Sequence, residues 1–226
     1  MSNTDSFIDE VSEEVRRDQL YGYFRKYGWI AITAVVLIVG GASYNEYRKA
    51  QTEAASQATG DALLNALDQN DSADRAAQLE AATLEVADAE VVRQFLLSSE
   101  LVNSGDSAAA AETLDTFQTA VPTASQIYKD IAEFKALTLG SEDIVIDERR
   151  SRLEALAQPG GSLSLIASEQ IALLDIEAGE TDAAIDRLQG IILDAEATAG
   201  LRQRASQLIV ALGGEPETLP SLPTAQ

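Results

Sequence analysis

The stretch GWIAITAVVLIVGGASY covers residues 28–44 and contains no charged side chain. Extended outward to Tyr27 and Tyr47, it reaches the length of about 20 residues that a membrane-spanning helix needs. Aromatic residues and basic pairs lie at both of its ends, where the headgroup region of a bilayer favours them. A buried core helix is the alternative, but such a helix would not carry these residues at both boundaries. We therefore predict a transmembrane anchor at residues 25–49.

A cleaved signal peptide is a second alternative for this segment. Signal peptides begin with a short basic region and end in small residues that suit cleavage. Here the apolar stretch follows an acidic segment at residues 1–24, and Ala42-Ser43-Tyr44 is a poor cleavage site. The pattern favours an uncleaved signal anchor.

Residues 1–24 are predicted to form a cytosolic amphipathic segment. Phe7, Ile8, Val11 and Val15 follow one stripe of a helix. The stripe fits either docking on a partner or a weakly ordered tail, and the residues do not separate these two readings.

The distribution of Lys and Arg predicts the orientation of the anchor. Four basic residues precede it and two follow it closely: Arg16, Arg17, Arg25 and Lys26, then Arg48 and Lys49. Cytoplasmic flanks carry the excess of basic residues. We expect a single-pass protein of the inner membrane with a cytoplasmic N-terminus and a periplasmic C-terminal domain.

The composition excludes several classes of enzyme. The chain of 226 residues has no His and no Cys, which removes zinc hydrolases of the usual type, Ser-His-Asp hydrolases and Cys proteases. Its 37 acidic residues against 16 basic ones give a net charge of −21, which disfavours binding to nucleic acid. We expect no catalytic residue, no cofactor, no metal site and no small-molecule substrate.

Residues 50–212 are predicted to form helical hairpins in a repeat. Turn residues occur at Asn70, Gly105, Gly140 and Gly179, separated by 35, 35 and 39 residues. A helix–turn–helix unit of about 34 residues is typical of tetratricopeptide (TPR) repeats. The predicted fold class is therefore all-α, a TPR-like solenoid of helical hairpins behind one transmembrane helix. A nonrepetitive helical bundle is the alternative.

Two units match each other best, at an offset of 74 residues. The second unit covers residues 91–124, and its Ala110, Leu114 and Phe117 pair with Ala184, Leu188 and Ile191 of the fourth unit. Alanine at such a position lets neighbouring helices approach closely. The third unit carries an insertion in which residues 144–146 read as a short strand or as an extended lead into a helix ending near Gln158. The proline-rich residues 213–226 are predicted to be a disordered tail.

The first helix of the second unit supplies the candidate binding residues. First helices line the concave side of a stacked repeat, where partners bind. On this helix we expect Val92, Phe95, Ser99 and Val102 to face that side and to contact a protein partner.

The order of these segments resembles a known family. An acidic start, the approach FRKYGW, one span and the exit GGASYNEYRKAQTEAAS precede degenerate TPR hairpins. This is similar to the ancillary SecYEG translocon subunit family, whose domain is also named for a cell-division coordinator, and the opening resembles its alphaproteobacterial branch. Lys26 to Ser56 carry the most specific part of the likeness, whereas the first and third units depart from the repeat signature.

The resemblance implies an accessory of the Sec translocon in the inner membrane. Such a protein links emerging polypeptides to periplasmic chaperones, so its partners are translocon subunits and chaperones or clients. The alternative is a scaffold or assembly factor of another envelope complex, in cell division or in respiratory-complex biogenesis. The residues themselves do not separate these two functions.

Overall fold

The computed structural model describes the backbone of residues 3–140 and 144–217, with side chains for these ranges except residues 3–24 and residue 31. The described residues form α-helices joined by turns and contain no strand. In chain order the helices are α1 (Asn3–Leu67), α2 (Ser72–Ala81), α3 (Ala89–Asn103), α4 (Ser107–Asp115), α5 (Phe117–Ala120), α6 (Gln126–Leu139), α7 (Ile146–Leu156), α8 (Ser164–Glu177), α9 (Thr181–Leu193) and α10 (Ala199–Ala211). The predicted all-α class is confirmed for this part of the chain.

The first compact unit extends to Gln57, somewhat beyond the predicted end of the anchor at residue 49. It contains the part of α1 that is long and apolar enough to cross a membrane, and none of that apolar window is buried against protein. Leu37 and Ile38 are 70% and 71% exposed, as expected for side chains that contact lipid instead of a protein core. The sequence thus correctly predicted one helix with the length and composition of a membrane span. The side chains of the predicted N-terminal stripe lie outside the described part of the structure.

The second compact unit begins at Ala58, and its helices change direction at the predicted turns. At the end of α3, Gly105 has a φ of +89°, which places it in the left-handed region that glycine tolerates best. The N–H of Asp106 donates to the carbonyl of Leu101 at 2.9 Å, which satisfies a carbonyl at the helix end. Gly179 repeats this arrangement at the end of α8 with a φ of +76°. The backbone conformation therefore favours glycine at these two positions.

The turn at Gly140 has a different cause. Its φ is −91°, which any residue can adopt, but Gly140 is buried. A Cβ at this position would lie 3.0 Å from the Cβ of Ala111 on α4. The close approach of α4, and not the backbone conformation, requires glycine at the end of α6.

Each long helix of the second compact unit packs mainly on the long helices before and after it in the chain, so that α6 packs on α4 across the short α5. Four apolar clusters therefore follow one another, each built from successive helices and centred on Leu79, Phe117, Leu153 and Leu188. The six residues paired at an offset of 74 are each at most 1% exposed: Ala110, Leu114, Phe117, Ala184, Leu188 and Ile191. The positions paired by sequence thus both lie in the interior of the domain.

The insertion of the third hairpin forms an extended lead and no strand in its described part. Val145 has extended backbone angles, and α7 follows from Ile146 to Leu156, two residues short of the predicted end. Residues 141–143 lie outside the described part of the chain.

The end of the described chain returns to α9. The side-chain amide of Gln189 donates to the carbonyl of Glu215 at 2.8 Å, and its oxygen accepts from the N–H of Glu217 at 2.9 Å. Glu215 and Glu217, within the predicted disordered tail of residues 213–226, thus contact α9, and the disorder of this tail stays a prediction. Residues 218–226 lie outside the described part.

Candidate functional site

The four predicted partner-binding residues form a stripe along α3, which we call the α3 stripe. Val92 and Val102 are 48% and 38% exposed, and Ser99 is also exposed. Their spacing of three, four and three residues places them near one face of the helix. Three of the four side chains are thus available to a partner.

Phe95 differs from the rest of the α3 stripe because it packs inward. Its ring centroid lies 5.3 Å from that of Phe117 and 6.4 Å from that of Tyr128 on α6. The side chain is half-buried against the cluster centred on Phe117. Phe95 therefore contributes to the packing of the core although it belongs to the α3 stripe. Its truncation would change the stability of the domain as well as any binding by the stripe.

Two clefts lie beside the other helix of the same hairpin, α4. The first cleft lies between α4 and the α6–α7 pair and has a volume of about 530 Å³. The second cleft lies between α4 and the α2–α3 pair and has a volume of about 560 Å³. Ala109 and Glu112 line both clefts, so α4 is a ridge between them. No residue of the α3 stripe lines either cleft.

Small side chains on α4 explain why this surface is open. The carboxylate of Asp106 caps the helix by accepting from the N–H of Ala109 at 3.0 Å. Ala110 is fully buried, and its carbonyl accepts a hydrogen bond from Ser98 on α3 at 3.2 Å. The helix is therefore held closely on α3, while Ala108 and Ala111 are too short to fill the space beside it.

A cluster of charges closes one side of the first cleft. Arg152 on α7 pairs with Glu133 at 2.6 Å, with Asp115, and with Glu148 at 3.7 Å. The hydrogen bond to Glu133 raises the pKa of the Arg152 guanidinium against the opposing effect of burial, and the bond to Asp115 adds to the rise. This cation is therefore occupied by carboxylates of α4, α6 and α7 and ties the three helices together.

Other carboxylates at the clefts have no partner among the described residues. Glu112 is exposed on the ridge, and Glu80 lies on α2 across the second cleft. Neither side chain makes an ion pair or a hydrogen bond within the described part. The two clefts thus combine apolar floors with free negative charge.

Most basic side chains of the second compact unit bind to carboxylates or carbonyl groups of the same unit. Residues 50–226 hold 10 basic and 30 acidic side chains. Seven arginines pair with carboxylates: Arg75, Arg93, Arg149, Arg150, Arg152, Arg187 and Arg204. Arg202 and Lys129 donate to backbone carbonyls. The acidic excess therefore remains on the surface.

Within the described residues, no group of three or more acidic side chains is arranged to hold a metal ion. The expected absence of an enzyme activity, a cofactor and a metal site stays a prediction.

The two clefts were not predicted from the sequence. The run SAAAAE at residues 107–112 contains a signal for them. Ala110 is the alanine that the contact with α3 needs, and the further alanines leave space beside the helix.

The fold and the site define an all-helical protein with one helix apolar enough to span a membrane and a domain of successive helical hairpins. No known protein family, curated protein or solved structure matches this chain.

Proposed function

We propose that the chain is a membrane-anchored interaction protein whose TPR-like domain binds segments of other proteins. One observation carries the proposal: successive helical hairpins, each packed on its neighbours, follow a helix with the length and composition of a membrane span. Stacked hairpins expose long surfaces that suit protein segments. An anchor confines such a surface near membrane complexes and raises its effective concentration there.

The equivalence of the second and fourth hairpins supports a TPR-like repeat. Ser98 and Ala110 meet at the contact of α3 with α4, and Ala172 and Ala184 occupy the same positions in α8 and α9. All four side chains are fully buried. Small side chains at the crossing of two helices allow the close packing that TPR hairpins use.

The proposal places the domain in the periplasm, on the basis of the Lys and Arg distribution around the anchor. The acidic domain also gains nothing from contact with anionic lipid, so it is suited to stand away from the membrane surface. A reporter that is active only outside the cytoplasm, fused after Gln226, should be active. Activity of a cytoplasmic reporter alone at that position would contradict the orientation.

Within this function, we propose a role as an accessory of the Sec translocon. The likeness of residues 26–56 to the translocon subunit family supports this role. In this role the domain receives emerging polypeptides and passes them to periplasmic chaperones. The chain acts by binding and not by catalysis, which agrees with the lack of His and Cys.

Crosslinking in living cells followed by purification in mild detergent tests this role. We expect translocon subunits and periplasmic chaperones to dominate the proteins identified by mass spectrometry. A variant that keeps the domain but replaces residues 25–49 with an unrelated membrane span is the control for the anchor. Enrichment of division or respiratory-complex subunits, with no translocon subunits, would contradict the role and favour a scaffold of another envelope complex.

A further inference from the structure

We infer that the two clefts beside α4 form one docking surface for a basic amphipathic segment of a partner protein. The inference rests on the proposed function, because it names the chemistry of the partner that this interaction domain binds. It places the contact on α4 and not on the α3 stripe.

The clefts have the size and the lining that a docking segment needs. Volumes of about 530 and 560 Å³ fall within the range of ligand-binding pockets. The first cleft has Ala111 and Ile144 on its floor, and the second has Leu97 and Leu101. Because α4 is a ridge between them, a segment lying across the helix places side chains into both clefts.

The charges at the clefts select a cationic partner. Arg152 is the single basic residue among those that line the two clefts, and three carboxylates already bind it. An anionic ligand would find no free cation there. A Lys or Arg side chain instead finds Glu112 unpaired on the ridge and Glu80 unpaired across the second cleft, while its aliphatic stem can lie on the apolar floor.

The field of the whole domain favours the same partner. The net charge of residues 50–226 is −20, from 10 basic and 30 acidic side chains. Such a field attracts cationic segments and speeds their association, and it repels nucleic acids and anionic lipid headgroups. The apolar floors add a requirement for hydrophobic side chains beside the basic ones, which a peptide with amphipathic spacing supplies.

The fourth hairpin provides matched control positions at the offset of 74 residues. Ala183 on α9 corresponds to Ala109, and Asp186 corresponds to Glu112. Both control residues are exposed, and neither lines the first or second cleft. Equal changes at the two sets separate an effect of the clefts from a general effect of charge or size.

Binding of a synthetic peptide to the purified full-length chain tests the chemistry of the surface. The probe is a fluorescent peptide of about 12 residues, with Leu at helical spacing and Lys elsewhere, and the chain is held in nanodiscs of zwitterionic lipid. We expect Glu112→Lys to weaken binding about tenfold, and Asp186→Lys less than about twofold. Ala109→Leu should also weaken binding where Ala183→Leu does not, with melting temperatures unchanged.

Two results of this binding experiment would overturn the inference. One is an equal effect of Glu112→Lys and Asp186→Lys, which would mean that the charge of the domain acts without the clefts. The other is displacement of the peptide by stoichiometric spermidine, which would assign the clefts to a polyamine.

Photocrosslinking in cells separates the docking surface from the proposed function. A photoreactive residue is placed at Ala109, at Val92 on the α3 stripe, or at the control position Ala183. We expect crosslinks from Ala109 to a protein segment rich in Lys or Arg and apolar residues. Crosslinks from Val92 alone, or from Ala109 to a neutral or acidic segment, would overturn the inference and leave the proposed function standing. An absence of crosslinks at all three positions would contradict both.

Discussion

The second and fourth hairpins have equivalent core residues but differ in the residues on their outer faces. In both hairpins, small buried residues form the crossing of the two helices. A fully buried leucine packs near this crossing, Leu114 in the second hairpin and Leu188 in the fourth. In the fourth hairpin, Ile185 on α9 packs against the cluster centred on Leu188, whereas the equivalent Ala111 on α4 lines the first cleft. The comparison shows that one inner pattern can carry either a filled surface or an open one.

A buried ionic cluster marks a second difference between these hairpins. Asp175 on α8 is 1% exposed and binds Arg150 on α7 and Arg187 on α9 at the same time. The equivalent pair in the second hairpin is Leu101 and Thr113, and both line the second cleft. The fourth hairpin therefore fills with charge the region that the second hairpin leaves available.

The equivalence of the two cores predicts the largest effect. Leu114→Ala and Leu188→Ala should each lower the free energy of unfolding by about 3 kcal/mol, because each leaves a cavity in a close-packed cluster. Urea unfolding of the full-length chain in detergent, followed by circular dichroism, measures both. Leu64→Ala is the control, since Leu64 is 67% exposed. Losses of unfolding free energy that differ by more than about twofold between the two variants would show that the two cores are not equivalent.

The ionic cluster predicts the next effect, which is confined to the fourth hairpin. Asp175→Asn should lower the free energy of unfolding by about 2 kcal/mol, because two arginines lose their shared carboxylate but remain partly exposed. The double change Asp175→Leu with Arg187→Thr copies the residues of the second hairpin and should cost less than Asp175→Asn. The same unfolding measurement compares them, with the exposed Asp186→Asn as control. A larger cost for the double change would show that the fourth hairpin does not tolerate the uncharged residues of the second hairpin at these two positions.

The glycine turns predict a smaller effect that is equal in both hairpins. Gly105→Ala and Gly179→Ala should each cost about 1 kcal/mol, because alanine is strained at positive φ. Gly105→Asn should cost less, since asparagine tolerates this conformation better. Apart from the two adjacent residues, no part of the fold lies within 4 Å of a Cβ added at either position, so crowding by other helices would not contribute. Equal costs for Ala and Asn, measured by thermal unfolding, would contradict a backbone cause.

The smallest effect is a pH dependence that belongs to the second hairpin. Burial acts to raise the pKa of Glu90, but hydrogen bonds from Arg93 and Gln94 together lower it below the ordinary value of 4.5. The resulting stabilisation is fully present above pH 4.5 and is lost as the pH falls through the lower folded-state pKa. Glu90→Gln should therefore be less stable than the parent at neutral pH by under about 1 kcal/mol, and the difference should shrink in acid. A difference in stability that stays constant with pH would show that the ionised Glu90 carboxylate is not its source. The equivalent residue in the fourth hairpin is Ser164, which does not titrate.

The positions of the turns and of the core were predictable because they follow from local rules. Glycine ends a helix at positive φ, which locates the turns at Gly105 and Gly179. Apolar residues at helical spacing after each turn identify Leu114 and Leu188 as buried. These signals depend on residues close in the chain, so one sequence contains them.

The open and filled outer faces were not predictable from such rules. The side chain of Phe95 packs inward because Phe117 and Tyr128 approach it from other helices. Nothing near Asp175 in the chain indicates that Arg150 and Arg187 meet there. In the same way, nothing near Ala108 in the chain indicates that this alanine lines a cleft beside α6 and α7.

The sequence by itself determined the apolar span, the helical class, the turns and the acidic charge, because each depends on composition or on spacing along the chain. The tertiary structure alone decided where the surface is open, which of the α3 stripe residues faces inward and which carboxylates remain free. Burial, ion pairing and the volume of a cleft depend on side chains brought together from several helices, and these distances exist only after the helices pack.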